Sequence, residues 1–585
     1  MLHRNIFCSL FFVCMAYALH ADFYPGENAF VNHTSLCLQE DPVHGAVRYD
    51  LSYWRIGQQT PHEGQEQAQV SKTYPAFFVS GLDCATRYFW QVRAYDASGN
   101  MIRESPPHTF QVLEAKAVLP HINAVKLDIK TYNKEQSAGG YIAIDYARAI
   151  FNREGKVLWV LPDIPGVVER QTQIRDLKMT EDNTITFLTP DNAVEIDLEG
   201  SVLWKAPSPC YIGGDTMTYH HEFQKTKRGT YMVLVSRLLR KKLPDSFRKE
   251  EILKADKNIE LEDGKCYKWT PVSMLVEFDK QGKLIWYWDS DNYLKDEDLA
   301  YKKNPNGTPT MLSHANAFSE NEEATHVYVG FRDLSRIVKI NKQKGKAEYS
   351  FGEKFPSGEA QTANNLFRRQ HNAKITRHGT LLIFNNNEPP DNKGRLKSTG
   401  IVEISDKNSK DDKGLVWHYD LDTLAENWSS GGGNVTELSN GSLLLCTGVV
   451  NRILEVDRKG KLVWDARVMS FAPGDSIWRA YPQYRASWVP DLKYFYFYAM
   501  PQMKQNGPEF LYSTLIANTG TSKDSYLVEW LNENRVIQKD EIKDLDAGKT
   551  NNLSLKPGSG KPRGMLVLRV TSISSGRTEV FPFRP

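Results

Sequence analysis

The chain has 585 residues, with 73 Lys and Arg against 71 Asp and Glu, a formal net charge of +2. Hydrophobic residues at 41% and charged residues at 25% exclude wholesale disorder and a collagen-like fibre. The small net charge excludes a nucleic-acid binder working by overall basicity, and a mean hydropathy of −0.50 with one long apolar run excludes a multi-span membrane protein.

Residues 1–21, MLHRNIFCSLFFVCMAYALHA, open with a basic Arg4 and an apolar run from Ile6 to Ala18, with small residues for cleavage after Ala18 or Ala21. The run is short for a bilayer span, so it reads as a secretory signal peptide. The mature protein is therefore expected in the periplasm or secreted, with no membrane span once the signal is cleaved. Cys8 and Cys14 leave with it, and Cys37, Cys84, Cys210, Cys266 and Cys446 remain. Export permits disulfides. Cys37–Cys84 and Cys210–Cys266 are the expected pairs, each within one domain, although sequence alone leaves the connectivity open. Cys446 lies in an apolar strand pattern and reads as a buried, inert thiol.

Residues 22–115 contain the run Gly81-Leu82-Asp83-Cys84-Ala85-Thr86-Arg87-Tyr88-Phe89-Trp90, with Trp54 in a preceding strand pattern. This segment resembles a fibronectin type III module, in which Leu82 and Tyr88 would form the tyrosine corner of a β-sandwich.

A phrase then recurs: alternating apolar and acidic residues, a turn with Gly, then apolar residues ending in an aromatic. Its six copies run Phe151 to Trp159, Val194 to Trp204, Val276 to Trp286, Val338 to Tyr349, Val402 to Trp417 and Leu454 to Trp464. Each reads as a hairpin. A second phrase precedes most copies, a polar residue followed eight positions later by a turn Gly and an apolar strand: His221 to Gly229, His371 to Gly379, Gly433 to Gly441. Units of four strands repeating at this period predict an all-β, six-bladed β-propeller over 116–505. The terminal aromatics are expected to pack between blades. The charged stretch from Leu238 to Met274 reads as a solvated excursion within one blade. The last inner strand, from Tyr484 onward, is expected to pair with residues 140–160 and close the ring. Residues 506–585 alternate again and read as a small C-terminal β-sandwich.

Inner strands of a propeller line its central channel, so residues at matched inner positions converge. The repeat matches His221, His371, Gly433 and Tyr484, while His314 opens the intervening blade and Arg332 ends its next strand. Strand alternation sends neighbours to opposite faces, and the spacing to the turn Gly favours His221 over His220 for the channel.

These residues resemble the bacterial aryl-sulfate sulfotransferases. The chain carries His220-His221-Glu222, then His314-Ala315-Asn316 with Arg332 18 residues after His314, then Gln370-His371-Asn372-Ala373, in the family's order and on a six-fold repeat. Phe384-Asn385-Asn386-Asn387 departs from the family's Phe-Asp-Asn-Gly, and the C-terminal module is not an expected family feature. The resemblance implies that His371 attacks the sulfur of a phenolic sulfate ester, becomes a transient sulfohistidine, and passes the sulfuryl group to a phenolic acceptor. An unperturbed imidazole pKa near 6.5 suits a neutral nucleophile. Arg332 would hold sulfuryl oxygens as a planar fork, and His221 and His314 would donate hydrogen bonds, one protonating the leaving phenolate. Asn316 and Tyr484 would contact substrate, although ordinary channel packing also accounts for Tyr484.

No cofactor is expected. A nucleotide-sulfate donor would need a phosphate-cradling loop, and Gly548-Lys549-Thr550 lacks the Gly five positions earlier. The partners implied are a small aryl sulfate and a phenol, with no nucleic acid; the oligomeric state stays open, a homodimer included. The rival readings are a non-catalytic exported propeller binding glycans or protein partners, a zinc enzyme built on the three histidines, and a quinone-dependent dehydrogenase.

Overall fold

A computed structural model describes residues 23–57, 70–115, 124–169, 171–245, 248–303, 309–354, 366–387, 398–406, 414–421, 428–506, 509–556 and 566–583. The signal-peptide reading of residues 1–21 and the long turn of the Val402–Trp417 hairpin lie outside the described residues. Among the described residues no helix is long and apolar enough to cross a membrane. The chain forms two compact units, one of Asn32–Thr34 with Leu113–Leu492, the other of 23–31, Ser35–Val112 and 493–583.

Among the described residues the larger unit has six antiparallel sheets of four or more strands in chain order, besides a two-stranded sheet of Ala300–Lys303 with Pro309–Leu312. The second runs Arg175–Met179, Ile185–Leu188, Ala193–Ile196, Val202–Lys205. The third is Asp215–Lys225, Tyr231–Lys242, Lys265–Phe278 and Leu284–Asp289, and the fourth spans Ala315–Glu320 to Lys346–Gly352. The fifth spans His371–Ile375 to Leu415–Asp420. The sixth spans Asn434–Glu437 to Leu462–Phe471 and gains Ala124–Tyr132 as its outermost strand. The first sheet, Tyr141–Ile144, Ala149–Phe151 and Val157–Val160, takes its innermost strand from the far end of the unit: Ala486–Val489 pairs with Tyr141–Ile144. The innermost strands touch in succession and the last meets the first again. This is a closed β-propeller. The charged excursion of the third sheet is a continuation of its two central strands, which stay paired out to Lys242 and Tyr267.

Middle strands pack on both faces, which is why they read as unbroken apolar runs. In Leu443–Cys446 all four residues are buried. Leu443 and Leu445 meet Leu382, Phe384 and Ile401 of the fifth sheet, whereas Leu444 and Cys446 meet Ile142, Ile144 and Phe151 of the first. Full burial of each such side chain contributes about 1.5–3 kcal/mol.

Two rings of hydrogen bonds tie sheet to sheet. On the outside, the Trp ending five of the six hairpins reaches a carbonyl in the neighbouring hairpin turn. Trp159 Nε1 donates to Leu198, Trp204 to Asp279, Trp286 to Lys342, Trp417 to Arg458, and Trp464 closes the circle on Arg153. On the inside, side-chain oxygens accept from the backbone of the next sheet. Asp176 takes Phe223 N–H, Glu222 takes Phe318 N–H, Asn372 takes Val435 N–H and Asn434 takes Ala486 N–H, at 2.9, 3.1, 2.9 and 3.0 Å.

Among the described residues the expected disulfides are absent: no S–S bond joins Cys37, Cys84, Cys210, Cys266 or Cys446. Cys210 lies on Cys210–Ile212, three strands away from Lys265–Phe278, which carries Cys266, and the two belong to separate apolar clusters. Cys37 is buried in contact with Gln39. Burial pushes the Cys446 thiol up to about 12, matching an inert thiol.

In the smaller unit, the N-terminal part has a sheet of Phe23–Tyr24, Leu36–Glu40 and Ala76–Val79 and a second built around Arg48–Arg55 and Arg87–Tyr95. The Tyr88 hydroxyl accepts from Asp83 N–H at 2.9 Å. The C-terminal part pairs Phe497–Asn506 with Glu509–Asn518 and sets Asp524–Asn532 between Arg535–Leu545 and Leu566–Ser572. Phe497–Asn506, placed by sequence at the end of the propeller, thus belongs to this unit, and Tyr498 donates to the Glu40 carbonyl at 3.1 Å.

Candidate active site

The innermost strands of the second to fifth sheets each carry a register shift against their neighbour. At or beside it stands a residue in the left-handed region: Asp176 at φ 58, His221 at 59, His314 at 55 and Asn372 at 49. Such a bulge breaks side-chain alternation and re-aims the residues around it. The sixth sheet has Gly433 at φ 100, where a Cβ would stand 2.2 Å from the Phe384 ring, so only Gly fits.

This bulge corrects the alternation argument for His220 and His221. The shift between Tyr219 and Phe223 brings both rings together, Nδ1 to Nδ1 at 2.9 Å. His221 Nε2 lies 3.1 Å from His314 Nε2, and His314 Nδ1 lies 3.1 Å from Asp333 Oδ2. The 18-residue spacing of His314 and Arg332 follows from their hairpin: Ala315 pairs with Phe331, and Arg332 N–H donates to the His314 carbonyl at 2.9 Å. Arg332 is held by Asp333 at 2.7 Å and by the Ser430 carbonyl at 3.0 Å. Burial alone would raise the Asp333 carboxyl, but His314 and Arg332 outweigh it and hold it below the usual range.

His371 is 3% exposed. Its Nδ1 lies 2.7 Å from Asn386 Oδ1, and Gly432 N–H points at its Nε2 from 3.3 Å. Asn386 Nδ2 donates to the Ser429 and Gly432 carbonyls at 3.0 and 3.1 Å. The amide group of Asn386 is therefore turned so that only its oxygen meets His371. That assigns the proton to Nδ1 and leaves the lone pair on Nε2. Burial, then the Arg332 charge, hold the ring's pKa well below 6.5, so it is neutral.

Tyr484 sits between the two clusters, its ring centroid 6.0 Å from His221 and 6.2 Å from His371, both edge-on. The Arg175 and Arg485 guanidinium groups lie 5.3 and 5.2 Å from its ring centre. Its hydroxyl is buried with no hydrogen-bond partner among the described residues. Asn316 is fully buried and donates to the Gln370 carbonyl at 2.9 Å. That bond ties it to the residue before His371.

Beneath the histidines lies an ion network. Arg485 pairs with Asp176 at 2.8 Å and Glu222 at 3.2 Å, and Glu222 also pairs with Lys374. Burial would raise the Glu222 carboxyl, but Lys374, Arg485 and Lys178 overcome it and hold it at about 2.

The structure thus brings His221, His314, Arg332, His371 and Tyr484 together. Sequence reasoning missed His220, Asp333, Asn386 and Arg175. Asp333 follows Arg332 directly, and Asn386 stands inside the motif that departs from the family pattern. There Asn385 Oδ1 accepts from Arg368 and Asn387 N–H, an acceptor role open to the Asp that the family has, and Asn387 adopts φ 54 where the family has Gly.

A family model described as Arylsulfotransferase (ASST) matches residues 142–479, more than half of the chain. Among solved structures, the chain is similar to a protein of unknown function from Bacteroides caccae, at 13% identity over 63% of this chain and 99% of that one, TM-score 0.32. It is also similar to selenomethionine-substituted virginiamycin B lyase from Staphylococcus aureus, at 9% identity over 79% and 100%, TM-score 0.26. No curated protein matches.

Proposed function

The chain belongs to the arylsulfotransferase family and is an aryl sulfotransferase, and from that premise we propose that it moves a sulfuryl group from a phenolic sulfate ester to a phenol by way of His371. The Nε2 lone pair gives up its long 3.3 Å contact with Gly432 N–H and attacks sulfur, the bond from sulfur to the aryl oxygen breaks, and the phenolate leaves with a proton from the histidine cluster. The acceptor phenol then attacks the sulfur of N-sulfohistidine, the S–N bond breaks, and the phenol's proton returns to the cluster. Arg332, 13% exposed and always charged, is the fork for the equatorial oxygens. The unpartnered Tyr484 hydroxyl and its edge-on contacts suit an aromatic ring placed between His221 and His371. The signal-peptide reading supports action outside the cytoplasm, where a preformed aryl sulfate replaces a nucleotide donor.

The observation that carries this reading is the locked His371 tautomer, a neutral imidazole with its lone pair on Nε2. Transfer from a chromogenic phenyl sulfate to phenol is expected to show double-displacement kinetics. Quenched enzyme should carry one sulfuryl group on the peptide containing His371. His371→Ala should lower transfer by on the order of 10⁴-fold or more. Transfer by wild type with the label on another residue, or no transfer from any aryl donor, would overturn the reading.

A further inference from the structure

Three imidazoles and one carboxylate form an unbroken hydrogen-bonded chain: Asp333, His314, His221, His220, with contacts of 3.1, 3.1 and 2.9 Å. Asp333 can only accept, so His314 Nδ1 carries a proton. With all three rings neutral, each contact is filled by one proton if His221 donates from Nε2 and His220 from Nδ1. His220 Nε2 is then a bare lone pair, buried and without a hydrogen-bond partner among the described residues. The one acceptor that favours a proton at this ring is the carbonyl of Val235, on the strand paired with its own. A fourth proton taken up at His220 Nε2 shifts the two contact protons between histidines by one place, leaves the His314–Asp333 proton on His314, and so charges His314 beside Asp333, with no heavy atom moving. The groups facing the chain agree with that resting place. Arg175 acts electrostatically on His220 and His221, His371 acts likewise on His221, Tyr484 meets His221 edge-on, and Arg332 shares Asp333 with His314. Burial and Arg175 both oppose charge on His220 and His221.

We propose that these three histidines act as one proton relay anchored on Asp333, in which His220, outside the space that holds substrate, is the positioning residue that lets the relay store one extra proton. This rests on the sulfuryl-transfer reading above. In the first half-reaction the leaving aryl oxygen takes one proton from the His314–His221 contact and departs as a phenol. In the second, the acceptor phenol gives one proton back as its oxygen bonds to sulfur. The relay begins and ends with the same number of protons, and nothing is oxidised or reduced.

A relay matters only where the leaving oxygen needs a proton. Wild type and His220→Gln are compared on nitrophenyl sulfate, whose phenolate leaves unaided, and on methoxyphenyl sulfate, whose phenolate does not. In kcat/KM for the donor, which reports the first half-reaction alone, His220→Gln is expected to stay within about 3-fold of wild type on the first and to fall about 100-fold on the second, the low end of general-acid contributions. Asp333→Asn, at the other end of the chain, should change the same ratio in the same direction, and supplies the reading if His220→Gln does not fold. Equal loss on both donors, or loss on neither, overturns the relay. If wild type transfers from neither donor, it is the sulfuryl-transfer reading that fails.

Discussion

The outer hairpins and the starts of the inner strands solve the same problem in opposite ways. At the outer edge one side chain does one job repeatedly: a Trp N–H reaches the neighbouring turn in five of the six sheets, and Tyr349 stands at that place in the sixth case. At the inner strands the backbone device repeats, a bulge with a left-handed residue, but the side chains differ from sheet to sheet. Repetition of the side chain holds the ring together. Repetition of the backbone with changing side chains gathers a nucleophile, a relay and an ion network into one channel.

The comparison predicts that inner substitutions split into two kinds, and Glu222 tests the harder kind. It sits next to His221 in sequence yet belongs to the ion network. Glu222→Ala leaves Lys374 without its carboxylate and strips Arg485 of one of its two carboxylate partners. Removing one member of a buried ion pair costs about 3–5 kcal/mol. Urea unfolding should show a loss of that size, and a loss below about 1 kcal/mol would show that water already serves Lys374.

Asn386 tests the other kind. Asn386→Ala removes the acceptor that keeps the proton on His371 Nδ1, so both tautomers become populated. By analogy with metal-binding histidines held by a single outer partner, kcat should fall about 10–100-fold with KM little changed. A change confined to KM would assign Asn386 to substrate binding instead.

Acid separates inner from outer regions without mutation. The folded-state pKa of His371 lies well below the unfolded value of 6.5, through burial and Arg332, and His220 and His221 are lowered in the same direction. Below about pH 6.5 the unfolded chain takes up protons that the folded chain refuses, so stability is full above that pH and falls as pH drops. Each such histidine contributes a slope of about 1.4 kcal/mol per pH unit. Unfolding measured at about pH 7 and about pH 5.5 should show His371→Ala losing less stability than wild type by about that slope. Equal slopes would mean that His371 titrates normally in the folded protein.

What could be read from the sequence follows the same division. The six hairpins, the closing strand and the positions of His221, His314, Arg332, His371 and Tyr484 came from repeat period and spacing, because a repeated hairpin fixes where matched residues lie. Register could not settle His220 against His221, since a bulge is a local break in the two-residue period that register assumes. Asp333 and Asn386 act through other side chains and leave no periodic mark. The cysteines misled because two residues within one sheet can still lie several strands apart, as Cys210 and Cys266 do.

The smallest effect belongs to the outer ring. Trp417 is only partly buried, with its Nε1 on the Arg458 carbonyl at 3.0 Å and the Arg458 guanidinium 5.4 Å from its ring. Trp417→Phe keeps an aromatic ring at the hairpin end and removes the one donor, so the fifth sheet comes to resemble the fourth, where Tyr349 stands. A single neutral hydrogen bond contributes about 1 kcal/mol net. Unfolding should shift by that amount while transfer from the chromogenic donor stays at the wild-type rate, because no inner strand moves. Trp464→Phe goes further: Trp464 is fully buried, and the smaller ring leaves a void as well as an unmet Arg153 carbonyl. If Trp417→Phe lowers transfer as much as stability, the two regions are mechanically coupled, and the outer ring sets the geometry of the histidines as well as holding the sheets.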